Sequence, residues 1–107
     1  SAFQGQNGDE LLGAVPMERI LRSVAESFHI SYGDLKKKRG REASILVPRQ
    51  VAMYLARELS VASYSDIAKE FDMHHSTVMN AIDSVKQRMK KDNDFHKLIH
   101  ALLNTVY

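Results

Sequence analysis

Two short amphipathic segments separated by three residues constrain this chain more than any other feature. The first, 63–71, reads Ser-Tyr-Ser-Asp-Ile-Ala-Lys-Glu-Phe. The second, 75–89, opens His-Ser-Thr-Val-Met-Asn-Ala-Ile. The spacer Asp72-Met73-His74 has about the length of the turn in a helix-turn-helix. In the second segment Val78, Ile82, Val85 and Met89 recur on one helical stripe, which belongs to a core. Its N-terminal end instead carries His75, Ser76, Thr77 and Asn80 off that stripe. Such an end is the part of a recognition helix that enters a DNA major groove.

Charge supports that reading through its distribution rather than its sum. The net charge is +2, but 1–35 carry −3, 36–91 carry +6 and 92–107 carry −1. Positive potential concentrated mid-chain suits a phosphate-binding surface. A chain of 107 residues is enough for one small core. Without cysteine there are no disulfides and no thiolate metal sites. No apolar run approaches the roughly 18 residues of a membrane span. No secretory signal pattern opens the chain, so a cytoplasmic location is expected.

Residues 1–13 are rich in Gly, Gln and Asn and show no periodicity, so a flexible leader over 1–15 is expected before a domain over 16–107. Pro16 suits a helix start, and Ile20, Leu21, Val24, Ala25 and Phe28 place an amphipathic helix over about 16–28. Ser31 or Tyr32 opens a short helix through Leu35 and Lys36. The basic block 36–41 contains Gly40, which argues for a turn. Residues 44–47 are expected to be extended, because Val47 precedes proline. Pro48 then begins a helix to about Leu59, with Val51, Ala52, Leu55, Ala56 and Leu59 inward. Asp92 or Asn93 caps a last helix with Phe95, Leu98, Ile99, Leu102 and Val106 inward. The expected fold is all-α, with about six helices around a helix-turn-helix.

Several side chains are candidates for contact with DNA. Thr77 offers a hydroxyl and a methyl, Asn80 can bond an adenine edge, and His75 can donate or accept. The plainer alternative is that Ser76 or His75 only caps the helix. Arg49 and Gln50 are expected in the first turn of their helix, where backbone N–H groups also face a nearby phosphate. There the alternative is a solvent-exposed arginine. An arginine on a flexible arm, here Arg41, can enter a narrow minor groove. Lys36, Lys37 and Lys38 suit phosphate neutralisation, or else form an ordinary solvated run. His96 and His100 share a helical face, but no third metal ligand is evident. Asp72, His75 and Ser76 are the residue types of a nucleophile triad, yet nothing suggests an oxyanion hole. No Gly-rich phosphate loop is present. Met53, Met79 and Met89 are expected in the core rather than at a cofactor.

At this point the residues resemble a known family, the C-terminal DNA-binding domain of the bacterial replication initiator DnaA. The likeness covers about 16–106. It is most specific at Ile67-Ala68-Lys69-Glu70-Phe71, at His75-Ser76-Thr77-Val78-Met79 with Ala81, and at the tract from Pro48 to Leu55. The resemblance implies binding to a duplex nine-base-pair DnaA box, with consensus near TTATNCACA. It implies a minor-groove role for Arg41 and major-groove base reading by Arg49, with a backbone contact from Gln50. It also implies base reading by His75, Ser76 and Thr77, a phosphate contact by Arg57 and backbone contacts at Tyr64 and Ser65. His74 stands where the family has a base-reading aspartate, Asn80 where it has a later histidine, and Met73 is the nearest counterpart of a basic turn residue. The turn is also one residue shorter than usual. The resemblance further implies a segment that is not an enzyme and holds no cofactor, ATP belonging to an upstream ATPase domain. Two other readings remain. One is a DnaA-like domain of a non-initiator protein, reading a different repeat. The other is a helical protein-interaction module docking through the acidic helix over 16–28.

Overall fold

The structure, a computed structural model, describes residues 14–36 and 43–107. Of the leader expected over 1–15, residues 1–13 lie outside these residues, as do Lys37, Lys38 and Arg41. Six helices follow in order: α1 (Met17–Ser27), α2 (Tyr32–Lys36), α3 (Ala43–Leu59), α4 (Tyr64–Phe71), α5 (His75–Lys91) and α6 (Asn93–Val106). The all-α expectation holds, and no strand occurs among the described residues. None of their helices is long and apolar enough to cross a membrane.

The central element is α3. It packs chiefly on α5 and α1, with α2, α4 and α6 completing the shell. Its Val51, Ala52, Leu55 and Ala56 are fully buried, and Leu59 is half-buried. Around them lie Ile20, Leu21 and Val24 of α1, Ile67 and Phe71 of α4, and Ile99 and Val106 of α6. Val15, at the end of the stretch read as leader, is buried too. Its N–H donates to the Leu59 carbonyl at 2.8 Å, tying the chain before α1 to the end of α3.

The sequence expectation failed at the start of α3. Residues 44–47 are helical, not extended, and Pro48 sits inside the helix. Proline there removes one backbone hydrogen bond and restricts Val47, but both effects are biases that packing can outweigh. Val47 packs against the core, and Ile45 and Pro48 are buried. A further correction concerns α6, where Leu98 is exposed while Phe95, Ile99, Leu102 and Val106 are buried.

Local chemistry sets the helix ends as expected at α2 and α6. The Ser31 Oγ accepts the Asp34 N–H at 2.9 Å, and the Asp92 carboxylate accepts the Phe95 N–H at 3.1 Å. Lys36 closes α2 onto α4 through a 2.8 Å ion pair with Glu70. Its ammonium is held above the ordinary lysine range, first by that hydrogen bond. Lys36 is therefore a tie within the fold.

Candidate nucleic-acid interface

The helix-turn-helix is built from both of its ends. Ser63 caps α4 with a reciprocal box: its Oγ accepts the Asp66 N–H at 3.1 Å, and the Asp66 carboxylate accepts the Ser63 N–H at 3.0 Å. At the other end Asp72 adopts a left-handed conformation, φ 53° and ψ 56°. The Met73 N–H reaches back to the Ala68 carbonyl at 2.9 Å and the Asp72 N–H to Lys69 at 3.2 Å, closing the last turn. Three residues thus suffice to turn the chain from α4 into α5, and Met73 packs against the core on the way.

The capping alternative placed the cap of α5 at Ser76 or His75. His74, not His75 or Ser76, is the N-cap, with φ −74° and ψ 146°. Its Nδ1 accepts the Ser76 backbone N–H at 3.2 Å and lies 2.8 Å from the Ser76 Oγ. A backbone N–H can only donate, so Nδ1 is the accepting, unprotonated nitrogen, with the Ser76 hydroxyl beside it. The His75 ring stacks against His74, centroids 4.6 Å apart and 29° between planes.

Beyond the cap, α5 separates its two faces. Val78, Ala81, Ile82 and Val85 are buried, while His74, His75, Ser76, Thr77 and Asn80 are all exposed at one tip. Met79 is exposed beside them at 45%, which corrects its assignment to the core; Met53 is buried and Met89 half-buried as expected. The first turn of α5 contains no acidic residue, and Arg88, Lys90 and Lys91 occupy its last turn. Of the six helices only α3 shares that lack of a first-turn acid.

Arg57 and Tyr64 come together next to the start of α4. The guanidinium lies 4.5 Å from the Tyr64 ring centroid, and Nη1 donates to the Ala62 carbonyl at 3.1 Å. This pins an exposed cation against Tyr64, at the first residue of α4.

Arg49 behaves differently. It is only 4% exposed, and its guanidinium sits 5.8 Å from the Phe71 ring centroid. Burial lowers its pKa, because a charged group loses hydration. The solvent-exposed alternative is therefore wrong. So is the placement of Arg49 and half-buried Gln50 in a first turn, since α3 begins six residues before Arg49. Their backbone N–H groups do not form an open helix end.

The remaining chemical candidates stay apart from this surface. His96 and His100 have ring centroids 4.3 Å apart, and no group of three metal-ligating side chains occurs among the described residues. A shallow cavity of about 550 Å³ lies across α3, α5 and α6, lined by Tyr54, Asp83, Lys86, Met89, Lys90 and His96 among others.

Comparison with known proteins places this geometry. A family described as bacterial dnaA protein helix-turn-helix matches residues 17–85. The chromosomal replication initiator protein DnaA of Treponema denticola is 34% identical over 93 residues, covering 86% of this chain and 20% of that protein. The same-named protein of Levilactobacillus brevis is 42% identical over 90 residues, covering 83% of this chain and 20% of its own length. A crystal structure of a DNA replication initiation factor superposes with a TM-score of 0.76 at 30% identity, covering 84% of this chain and 27% of that one. This chain thus spans about a fifth of the length of these DnaA relatives. The match over 17–85 includes α4, the tight turn and the exposed tip of α5, and the chain belongs to the bacterial DnaA helix-turn-helix family.

Proposed function

We propose that this domain binds duplex DNA sequence-specifically, at DnaA-box-like sites of a replication origin, with the tip of α5 in the major groove. The observation that carries the reading is the segregation along α5. One face is locked into the core, while His74, His75, Ser76, Thr77 and Asn80 are exposed together at the N-terminal end. Hydroxyl, amide and imidazole groups there can address base edges, and Thr77 and Met79 add apolar contact for a thymine methyl. Arg57, held over Tyr64, supplies a phosphate contact in this reading, with Ser65 beside Tyr64 in the sequence. Arg49 reads a base only by turning its guanidinium out of its packing on Phe71. Lys37 and Arg41 complete the proposed interface, Arg41 in the minor groove.

In this reading the domain itself is not an enzyme and takes no cofactor. Nucleotide chemistry belongs to an upstream ATPase domain of the parent protein, which acts in the cytoplasm at the nucleoid. A second reading has one specific support. His74 replaces a carboxylate with an imidazole at the reading tip, which favours a related domain that reads a different repeat.

Fluorescence anisotropy with one box-containing duplex and one scrambled duplex, at near-physiological salt, tests the proposal. The expected result is a preference of about a hundredfold or more, within the range of specific over non-specific binding. Equal, salt-sensitive binding to both duplexes would transfer support to the second reading. No binding even at low salt would leave the protein-interaction module.

A further inference from the structure

The outward nitrogen of His74 has its polarity set by the fold. The Nδ1 lone pair is occupied by the Ser76 backbone N–H, and the Ser76 hydroxyl lies 2.8 Å away. A neutral imidazole with an accepting Nδ1 carries its proton on Nε2, and an imidazolium carries one there as well. In either charge state Nε2 is therefore a donor. The ring is exposed, and its stacking against His75 at 4.6 Å limits rotation about the cap. Among the described residues no hydrogen bond occupies Nε2.

Resting on the proposed major-groove docking of α5, we propose that His74 is a specificity-determining residue that acts as an obligate donor. It favours guanine, whose N7 and O6 both accept, thymine through O4 or adenine through N7, at the base pair it meets. It disfavours cytosine, which presents only the N4 donor there. An acid in the same place would have the opposite polarity, since a carboxylate only accepts. The capping bond therefore converts a helix-end detail into a choice of base.

The test is selection from a random duplex library with three forms of the 107-residue chain: unaltered, His74→Asp and His74→Ser. Aspartate and serine are both good caps, so α5 keeps its start, and far-ultraviolet circular dichroism checks this. The unaltered chain should exclude cytosine at one position. His74→Asp should enrich cytosine there, with about a tenfold change in relative affinity for that single exchange. His74→Ser, too short to reach the base edge, should lose preference at that position and keep it elsewhere. The same base preference in all three forms would overturn the assignment while leaving sequence-specific binding intact. Enrichment of no sequence by the unaltered chain would overturn the proposed function, and this inference with it.

Discussion

The N-terminal ends of α4 and α5 belong to one helix-turn-helix, yet they are closed by opposite chemistry. Ser63 and Asp66 satisfy each other's backbone donors at α4, and the carboxylate lies at the positive end of the helix dipole. That end is electrostatically complete. At α5 a single imidazole nitrogen takes one N–H, and no acid stands in the first turn. The start of α4 is finished internally, whereas α5 is capped without being neutralised by an acid in its first turn.

What the two helices share should fail first. Phe71 is fully buried at the end of α4, beneath the turn that launches α5. Phe71→Ala should cost about 3–5 kcal/mol of stability in urea denaturation and remove DNA binding with it. A folded, fully active variant would show that the turn does not need this packing.

The next test separates the ends. Asn80 is exposed on α5. Asn80→Ala should weaken specific binding by about 1–3 kcal/mol in anisotropy titrations. Its urea midpoint should change by the equivalent of about 0.5 kcal/mol at most. At α4 the expectation reverses. Ser63→Ala should lower stability by about 1 kcal/mol with base preference unchanged. A loss of base preference in Ser63→Ala at intact stability would break the distinction.

Acid sharpens it further. The Asp66 carboxyl is held below its ordinary value of 3.8, first by the Ser63 backbone N–H and then by the Ser63 side chain. A depressed folded pKa stabilises above the unfolded value and loses its contribution as pH falls through the folded one. The stability gap between the unaltered chain and Asp66→Asn should therefore be full near neutral pH and narrow below about pH 3.8. A gap that is constant through that range would mean that the box carries no charge-dependent stability.

The smallest effect belongs to the turn. Asp72 holds a left-handed backbone conformation that glycine adopts without steric penalty. Asp72→Gly should raise stability on the order of 0.5 kcal/mol, read as a small rise in melting temperature. A fall would mean that the aspartate side chain supports the turn.

Much of this was legible in the residue order. Helical spacing located α1, α4, α5 and α6 to within a residue or two, because a period of 3.6 records which face is buried. The exposed tip at Ser76, Thr77 and Asn80 followed from the same stripe read in reverse. The errors arose where a local preference met packing. Pro48 marked a helix start that the burial of Ile45 and the packing of Val47 moved upstream. The capping alternative named Ser76 or His75, whereas the cap is His74.

Periodicity and the short spacer were enough to imply a helix-turn-helix, since both depend only on neighbours along the chain. Neighbours along the chain cannot report the burial of Arg49 against Phe71, the pinning of Arg57 on Tyr64 or the exposure of Met79. Those depend on which helices meet across the core. The donor polarity of His74 is intermediate: its bond is local, but it forms only once the turn holds Asp72 left-handed and starts α5 at His75. The sequence specified which residues reach the surface of α5, and tertiary packing decided the orientation and polarity with which they are presented.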